Sequence, residues 1–558
     1  MADASFDAVI IGGGKEGLVM GCYLGLNGMT VGVFEQGNEL GGAACTVPTP
    51  AAGFRGNPHA EICAFWMSPA YYDFNLGEKG LKFIFPEVMM SKIFPDERCI
   101  VVYRALEWNE ELGTVIPNQT IIDKNLKELE RISPRDAERV AKALEKKLYN
   151  WMYSHGQCLF NPPPLPGEPD YVAELLKDPE GGIDPRYPFM TEYEITCDLY
   201  DSPEMRSMAL QWQLMNGIAP GDVAPPLQAL LPMPSFAGLQ AFAVAEGGFH
   251  NVAHALQRAL SEQGGKFFVG ADVDEVLVKN GRACGIKLTD GTEIEAKKVV
   301  IDTAEIKQTL RRHLRNIQID PEIRRKVDNI MTDRSQLFWG HIAFHELAQY
   351  RAASWNPDCG KARWVFLGDT DVEYMYTHYG YQMHTLKPGR WPEKVYMSEL
   401  TTTQWDSSYA PPGKHVALVA EGHPPPANYM TEKEWMQVKR EVGNRFIAEW
   451  QKYAPNMTWD NVIAVNIPTP YEYSQKNPNW VNGCMYTSNQ NPSQWCNFRP
   501  IPELSQYQVP GIEDFWMASG SQHTGGTGSL GFSAYNCYKR MSQRYGLRKT
   551  WEEKGRMF

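Results

Sequence analysis

The chain has 558 residues, more than one ordinary core accommodates, so two interleaved domains are expected. Apolar residues make up 43% and charged residues 22%, an ordinary globular balance. The formal net charge of -12 excludes nucleic-acid binding, which needs a basic face, and disfavours docking on anionic lipid by charge alone. The 11 cysteines contain no C-x-x-C pair, so neither a zinc ribbon nor a redox dithiol is indicated. An odd, unpatterned set reads as reduced thiols in a cytoplasmic compartment. No apolar run approaches the ~18 residues of a membrane-spanning helix, and the first strand begins too early to leave room for a signal peptide.

In chain order, Asp7 to Ile11 is an apolar run of strand length, and Gly12-x-Gly14-x-x-Gly17 follows at once. A helical pattern carrying Leu18, Tyr23 and Leu26 ends at Asn27-Gly28, and a second strand, Thr30 to Phe34, closes on Glu35. Strand, glycine turn, helix, strand and terminal acid together form the dinucleotide fingerprint. Gly12 permits the tight turn, Gly14 lets backbone approach a pyrophosphate, and Gly17 lets helix and strand pack closely. The helix N-terminus offers its unpaired N–H groups to the phosphates. Glu35 can accept from both ribose hydroxyls. A second glycine turn, Glu39 to Ala44, suits a long dinucleotide lying extended along the domain.

Phe54 to His59 leads into an aromatic stretch, Phe65 to Pro69. Residues 71 to 126 read as short strands and turns, with Gly80 to Phe85 the clearest. Asn125 to Tyr153 is an amphipathic helical region with Ser133-Pro134 as a natural start, and Asn161 to Asp170 is a proline-rich loop. Ile218 to Val244 carries a single charge, Asp222. It reads first as a buried irregular segment, and second as a substrate-channel wall or a lip making peripheral membrane contact. A helix over Phe249 to Gln263 precedes strands at Lys266 to Val269, Ala283 to Leu288 and Lys297 to Ile301, with hairpin signals at Asn280-Gly281 and Asp290-Gly291. Phe338 to Phe344 and Glu373 to Tyr379 are read as aromatic strands whose alternation presents one ligand-facing side. Trp435 to Lys452 is a helix. Finally, a strand at Phe515 runs into the glycine-rich turn His523 to Gly528 and a helix to about Tyr545, whose N-terminus faces something anionic or electron-rich.

Five blocks span the chain: GGGKEGL at Gly12–Leu18, ELGGAA at Glu39–Ala44, EGG at Glu246–Gly248, APPGKH at Ala410–His415 and HTGGTG at His523–Gly528. On these the chain resembles the phytoene desaturase-related oxidoreductases of the carotenoid desaturase and isomerase type. The subgroup it resembles most is that of the pyridine nucleotide-disulfide oxidoreductase domain-containing protein 2, within the superfamily that includes the amine oxidases. The resemblance implies an α/β fold, with a Rossmann-like FAD-binding domain from residues 1–75, 241–315 and 501–558. An interleaved α+β substrate domain would come from residues 76–240 and 316–500. It implies FAD rather than NAD, and no second complete fingerprint argues otherwise.

FAD would be held by Gly12, Gly14, Gly17, Glu35, Gly41, Gly42 and Ala43. The backbone of Val273 would meet the adenine, and Thr524, Gly526, Thr527 and Gly528 the isoalloxazine edge. His523 is the first catalytic candidate and His59 the second, as an acid or base. The implied reaction is dehydrogenation of a hydrophobic small molecule, terpenoid or alicyclic in kind, by hydride transfer to flavin N5, with oxygen, a quinone or a carrier protein as electron acceptor. A redox-neutral isomerase using reduced FAD and an amine oxidase are the alternatives. Thr524 in place of the family's proline, Ala245 before the Gly-Gly helix start and the residues around Asn57-Pro58-His59 depart from the usual pattern. They lie where substrate and flavin would meet.

Overall fold

The computed structural model describes residues 2–61, 64–109, 114–178, 180–223, 225, 242–525 and 531–556. Two seven-stranded sheets organise it. The first runs in the order Lys266–Val269, Val31–Glu35, Ala4–Ile11, Glu293–Asp302, Arg282–Leu288, Val273–Lys279. Its first four strands are parallel, and Phe515–Met517 adds in parallel beside Val300 to Asp302. The last two strands turn antiparallel through Asn280-Gly281 and Asp290-Gly291.

Parallel strands are covered on both faces, and the alternation along Ala4–Ile11 divides accordingly. Ala8 and Ile10 join Leu18, Tyr23, Leu256 and Tyr535 in one buried cluster, whereas Val9 and Ile11 join Val300, Leu310 and Phe515 in another. The first cluster is where helices Lys15–Leu26, His250–Glu262 and Phe532–Tyr545 pack.

The second sheet runs Val462–Asn466, Leu337–Phe344, His415–Gly422, Met397–Leu400, Trp364–Leu367, Val88–Ile93, Cys99–Tyr103. Its neighbours are antiparallel except for Trp364–Leu367 beside Val88–Ile93. Every residue of Leu337–Phe344 is buried, so that strand has no open ligand-facing side. Helices Pro203–Met215 and Glu432–Tyr453 pack on the sheet.

Two local readings need correction. Glu373 to Tyr379 is helical: Val372–Tyr374 passes into a π-helical turn, Met375–Tyr379, and then Gly380–His384. The Asp371 carboxylate accepts from the Tyr374 amide and starts the turn. Val372, Met375 and Tyr379 are buried at helical spacing, so packing overrides the aromatic strand propensity. In residues 71 to 126 the principal strands are Val88–Ile93 and Cys99–Tyr103, whereas Gly80 to Phe85 contributes only Phe83–Ile84, paired with Val244–Ala245.

The helical region is split as Ser133-Pro134 suggests, into Gln119–Glu130 and Pro134–Phe160, with Ser133 Oγ accepting from the Asp136 amide at 3.3 Å. Most of the nearly uncharged stretch from Ile218 to Val244, residues 224 and 226–241, lies outside the described residues. No helix among the described residues is long and apolar enough to cross a membrane.

Candidate functional site: two glycine turns, the last helix and a histidine wall

The first turn is built for close approach. Gly12 has φ +93° and its N–H donates to Phe34 O at 2.8 Å. A Cβ on Gly12 would lie 2.4 Å from Thr303 Oγ1, and one on Gly17 would lie 2.1 Å from Gly12 O. Gly14, extended at φ -67° and ψ 173°, is the N-cap of Lys15–Leu26, and no side chain caps that helix. Its first N–H groups are therefore left for a ligand. The atom nearest a Cβ on Gly14 would be Gly42 Cα at 4.0 Å.

The second turn lies against the first. Gly41 has φ +127° and donates to Gly13 O at 2.9 Å, Gly14 and Gly41 form a parallel bridge, and Gly42 has φ +57°. Glu35 spans the pair: its Oε2 accepts from Gly13 N at 2.8 Å and its Oε1 from Gly37 N at 2.7 Å. Each oxygen keeps a lone pair for a hydroxyl donor. Ala43, partly buried, packs toward the second sheet's core. The Glu35 carbonyl accepts from Ala271 N at 2.8 Å, which brings Val273, the first residue of its strand, into the same neighbourhood.

The last helix is tied to the first. Glu16 Oε2 accepts from Ala534 N at 2.9 Å, so a carboxylate from the first turn of Lys15–Leu26 caps Phe532–Tyr545. Before that helix, His523 is buried. Its Nε2 lies 2.7 Å from Cys158 O, which places the ring proton on Nε2, and its buried Nδ1 has no partner among the described residues. Thr524 is buried beside it, while Gly526, Thr527 and Gly528 lie outside the described residues.

Arg499 packs against Gly525, where a Cβ would lie 1.9 Å from its Nε. Its guanidinium donates to Ser488 Oγ, Thr487 Oγ1 and the carbonyls of Gln494, Tyr486 and Gly520, and among the described residues it pairs with no carboxylate. Burial pushes it down to about 10.

The third component is the segment around His59. Asn57 Oδ1 accepts from Thr46 Oγ1 at 2.6 Å and from Phe249 N at 3.2 Å, and its Nδ2 donates to Glu61 Oε2 and Tyr409 Oη. One amide thus joins the segment after the second glycine turn, the start of helix His250–Glu262 and the turn Ser407–Tyr409. Glu61 meets Arg363 at 3.0 Å, both fully buried, and also accepts from Thr402 Oγ1. His59 packs against Trp480, with ring centroids 4.0 Å apart, and edge-on to Tyr473 at 5.5 Å. Desolvation, reinforced by Lys476 and His341, holds His59 well below the ordinary imidazole value. It is therefore neutral at pH 7, and its shielded Nδ1 is also without a partner among the described residues. The neutral ring accepts at one nitrogen and donates at the other.

Sequence spacing missed Glu61–Arg363, Arg499 and one further group. Cys158 Sγ lies 3.4 Å from Cys496 Sγ and 4.0 Å from His523 Nε2. The absence of C-x-x-C spacing therefore did not exclude a close thiol pair, because these two are 338 positions apart. The described cysteines are all free thiols.

Residues 10–74 match the NAD(P)-binding Rossmann-like domain family. Along nearly the whole chain the protein is similar to a limonene dehydrogenase subunit of Castellaniella defragrans, 26% identical over 98% of this chain and 96% of that one. It is also similar to the pyridine nucleotide-disulfide oxidoreductase domain-containing protein 2 of Mus musculus, 23% identical over 95% of this chain and 92% of that one. Over 12% of the chain it is 42% identical to a neurosporene-forming phytoene desaturase of Rhodobacter capsulatus, covering 13% of that protein. In fold it is similar to an oxidoreductase from Methanosarcina mazei, with TM-score 0.58 and 14% identity over 96% of this chain and 99% of that one. Cyclohexylamine oxidase from Brevibacterium oxydans gives TM-score 0.51 and 14% identity over 99% and 100%. Residues 10–74 are thus a Rossmann-like dinucleotide-binding unit, and along nearly its whole length the chain is similar to proteins named as a limonene dehydrogenase subunit and an oxidoreductase domain-containing protein.

Proposed function

We propose that the protein is an FAD-dependent dehydrogenase that desaturates an apolar alicyclic or terpenoid molecule. The observation that supports it best is the pair of glycine turns bonded to each other at an uncapped helix N-terminus, with the Glu35 carboxylate across them. Such a cradle suits an extended dinucleotide. The full-length similarity to a protein named as part of a limonene dehydrogenase supports the substrate class.

In this reading Gly12, Gly14 and the helix N-terminus bind the diphosphate, and Glu35 binds the ribose. Gly41, Gly42 and Ala43 line its course, Val273 meets the adenine through its backbone, and Thr524 and the turn after it meet the ring system. FAD, when bound, supplies the hydride acceptor at N5. The chain's own part is to place the substrate, exclude water and receive the proton. Trp480 and Tyr473 form a dry wall beside His59. His59 Nδ1 and His523 Nδ1 are two shielded ring nitrogens without a partner among the described residues. The Cys158 carbonyl fixes the His523 tautomer, so its free lone pair needs no prior proton rearrangement.

Anaerobic mixing of the purified yellow protein with limonene-like hydrocarbons, alicyclic ketones and amines tests this. Bleaching of the flavin band by an uncharged alicyclic compound is expected. Reduction by amines alone, with ammonia released, overturns it, as does a colourless protein that refuses added FAD.

A further inference from the structure

We propose that Cys158 and Cys496 are a reversible modification site, which a peroxide converts into a disulfide. The bond would tie the last turn of helix Pro134–Phe160 to the segment leading into Arg499. The two sulfurs are already at 3.4 Å and neither is in a disulfide; the other contact of Cys158 Sγ is the longer one to His523 Nε2 at 4.0 Å. A disulfide at about 2.05 Å needs an approach of only ~1.4 Å, within reach of side-chain rotation.

A thiophilic metal is the competing occupant, since His523 Nε2 is a third donor 4.0 Å from Cys158 Sγ. The histidine argues against it. Nε2 lies 2.7 Å from the Cys158 carbonyl, so that atom carries its proton and has no lone pair to give. The cluster holds three donors, short of the four a structural zinc site takes.

The pair is built to react. The two thiols share a hydrogen bond, which pulls Cys158 below the ordinary thiol value and pushes Cys496 up. One proton is thereby shared between the two sulfurs, which favours thiolate character on Cys158. Cys496 is partly exposed and offers the way in for a small oxidant. The Cys158 thiolate attacks one peroxide oxygen. The O–O bond breaks, a sulfenic acid forms, and the departing hydroxide takes the Cys496 proton to become water. The Cys496 thiolate then attacks the sulfenic sulfur, the S–S bond forms, and the second oxygen leaves as hydroxide, which takes back from solvent the proton Cys158 lost on ionising and becomes water. Two thiols and one peroxide give one disulfide and two waters.

The location gives the bond a consequence. The Cys158 carbonyl accepts from His523, the Leu159 carbonyl accepts from Asn536 Nδ2 at 2.9 Å, and Phe160 packs against Phe532 at 4.8 Å. Cys496 lies three residues before Arg499, which packs against Gly525. The disulfide would therefore clamp the turn His523 to Gly525 from both sides. None of this depends on the cofactor reading.

The test treats the purified full-length protein with excess hydrogen peroxide, alkylates it under denaturing conditions and maps the peptides by mass. The expected result is a linked pair of peptides, two hydrogens lighter than the free thiols, containing Cys158 and Cys496, with two titratable thiols lost and both regained with dithiothreitol. Cys496→Ser should stop at a Cys158 sulfenic acid that dimedone traps. Recovery of both cysteines as alkylated free thiols, after peroxide and again after diamide, overturns the proposal. So does one tightly held zinc per chain in native mass spectra, released only by acid or chelator.

Discussion

Ala substitutions at Gly14 and Gly17 should separate cofactor binding from folding, although the two positions are three residues apart in one turn. At Gly17 the new Cβ would sit 2.1 Å from the Gly12 carbonyl oxygen, more than 1 Å inside the ~3.5 Å contact distance of non-bonded heavy atoms. Both partners are backbone in a parallel-sheet core, so the helix has to move. Overpacking of this kind costs about 1–3 kcal/mol or more, against a gain of about 1 kcal/mol for Ala over Gly inside a helix. Gly17→Ala should therefore lose up to about 2 kcal/mol in the flavin-free protein.

Gly14 differs in both respects. Its φ of -67° and ψ of 173° suit any residue, and the nearest atom to the new methyl is 4.0 Å away. A gain of about 0.4–1 kcal/mol from the stiffer unfolded chain is offset by Ala being a poorer N-cap than Gly, by about as much. The flavin-free stability should stay within ~0.5 kcal/mol of wild type. On the proposed reading the methyl would instead stand in the path of the diphosphate. Loss of one charge-assisted hydrogen bond is worth about 1.5–3 kcal/mol, so FAD should bind roughly ten- to a hundredfold more weakly. Urea unfolding of the deflavinated variants and FAD titration by quenching of flavin fluorescence read the two quantities. Unchanged FAD affinity in Gly14→Ala, or destabilisation equal to that of Gly17→Ala, would refute the reasoning.

Three further outcomes follow from the buried polar groups. Glu16→Ala leaves the Ala534 amide unpaired at the start of the last helix and should cost about 1–3 kcal/mol, with faster hydrogen exchange in the first turn of Phe532–Tyr545. Arg363→Met strands the Glu61 carboxylate and should cost about 3–5 kcal/mol, part of which Glu61→Gln restores in the double variant; additivity of the two changes in urea melts would contradict a direct pairing. Burial pushes His341 from 6.5 down to about 3. The unfolded chain therefore takes a proton below pH 6.5 that the folded one refuses, and stability falls on acidification. His341→Phe should flatten the stability–pH curve between pH 4 and 6 by about 1.4 kcal/mol per pH unit; a curve parallel to wild type would show that the group does not titrate this way.

What could be read from the chain was what local spacing determines. The order of strand, turn, helix and acid at Phe6 to Glu35 depends on backbone sterics within thirty positions, and the structure repeats it nearly residue for residue. The Ser133-Pro134 break and the two hairpin turns are of the same kind. The run Glu373 to Tyr379 went the other way because its aromatic composition carries less information than the Asp371 cap and the three buried positions at helical spacing. The strands Val88–Ile93 and Cys99–Tyr103 were underrated since both are buried throughout and show no alternation.

The polar interior was not legible at all, and the reason is separation along the chain. Asn57 reaches Tyr409, Arg363 reaches Glu61, and Cys158 reaches Cys496 across hundreds of positions, and no residue type at either end announces its partner. These contacts also decide what the site favours electrostatically. A buried guanidinium bonded to hydroxyl and carbonyl oxygens, with Glu305 acting on it only through space, sets positive charge beside Gly525, and burial holds the His59 imidazole neutral. A low-dielectric interior strengthens both effects. Negative charge developing near that turn is stabilised there, whereas a substrate that arrives or leaves as a cation is repelled. On that ground an uncharged hydrocarbon suits these residues better than an amine, which binds as ammonium or departs as an iminium ion.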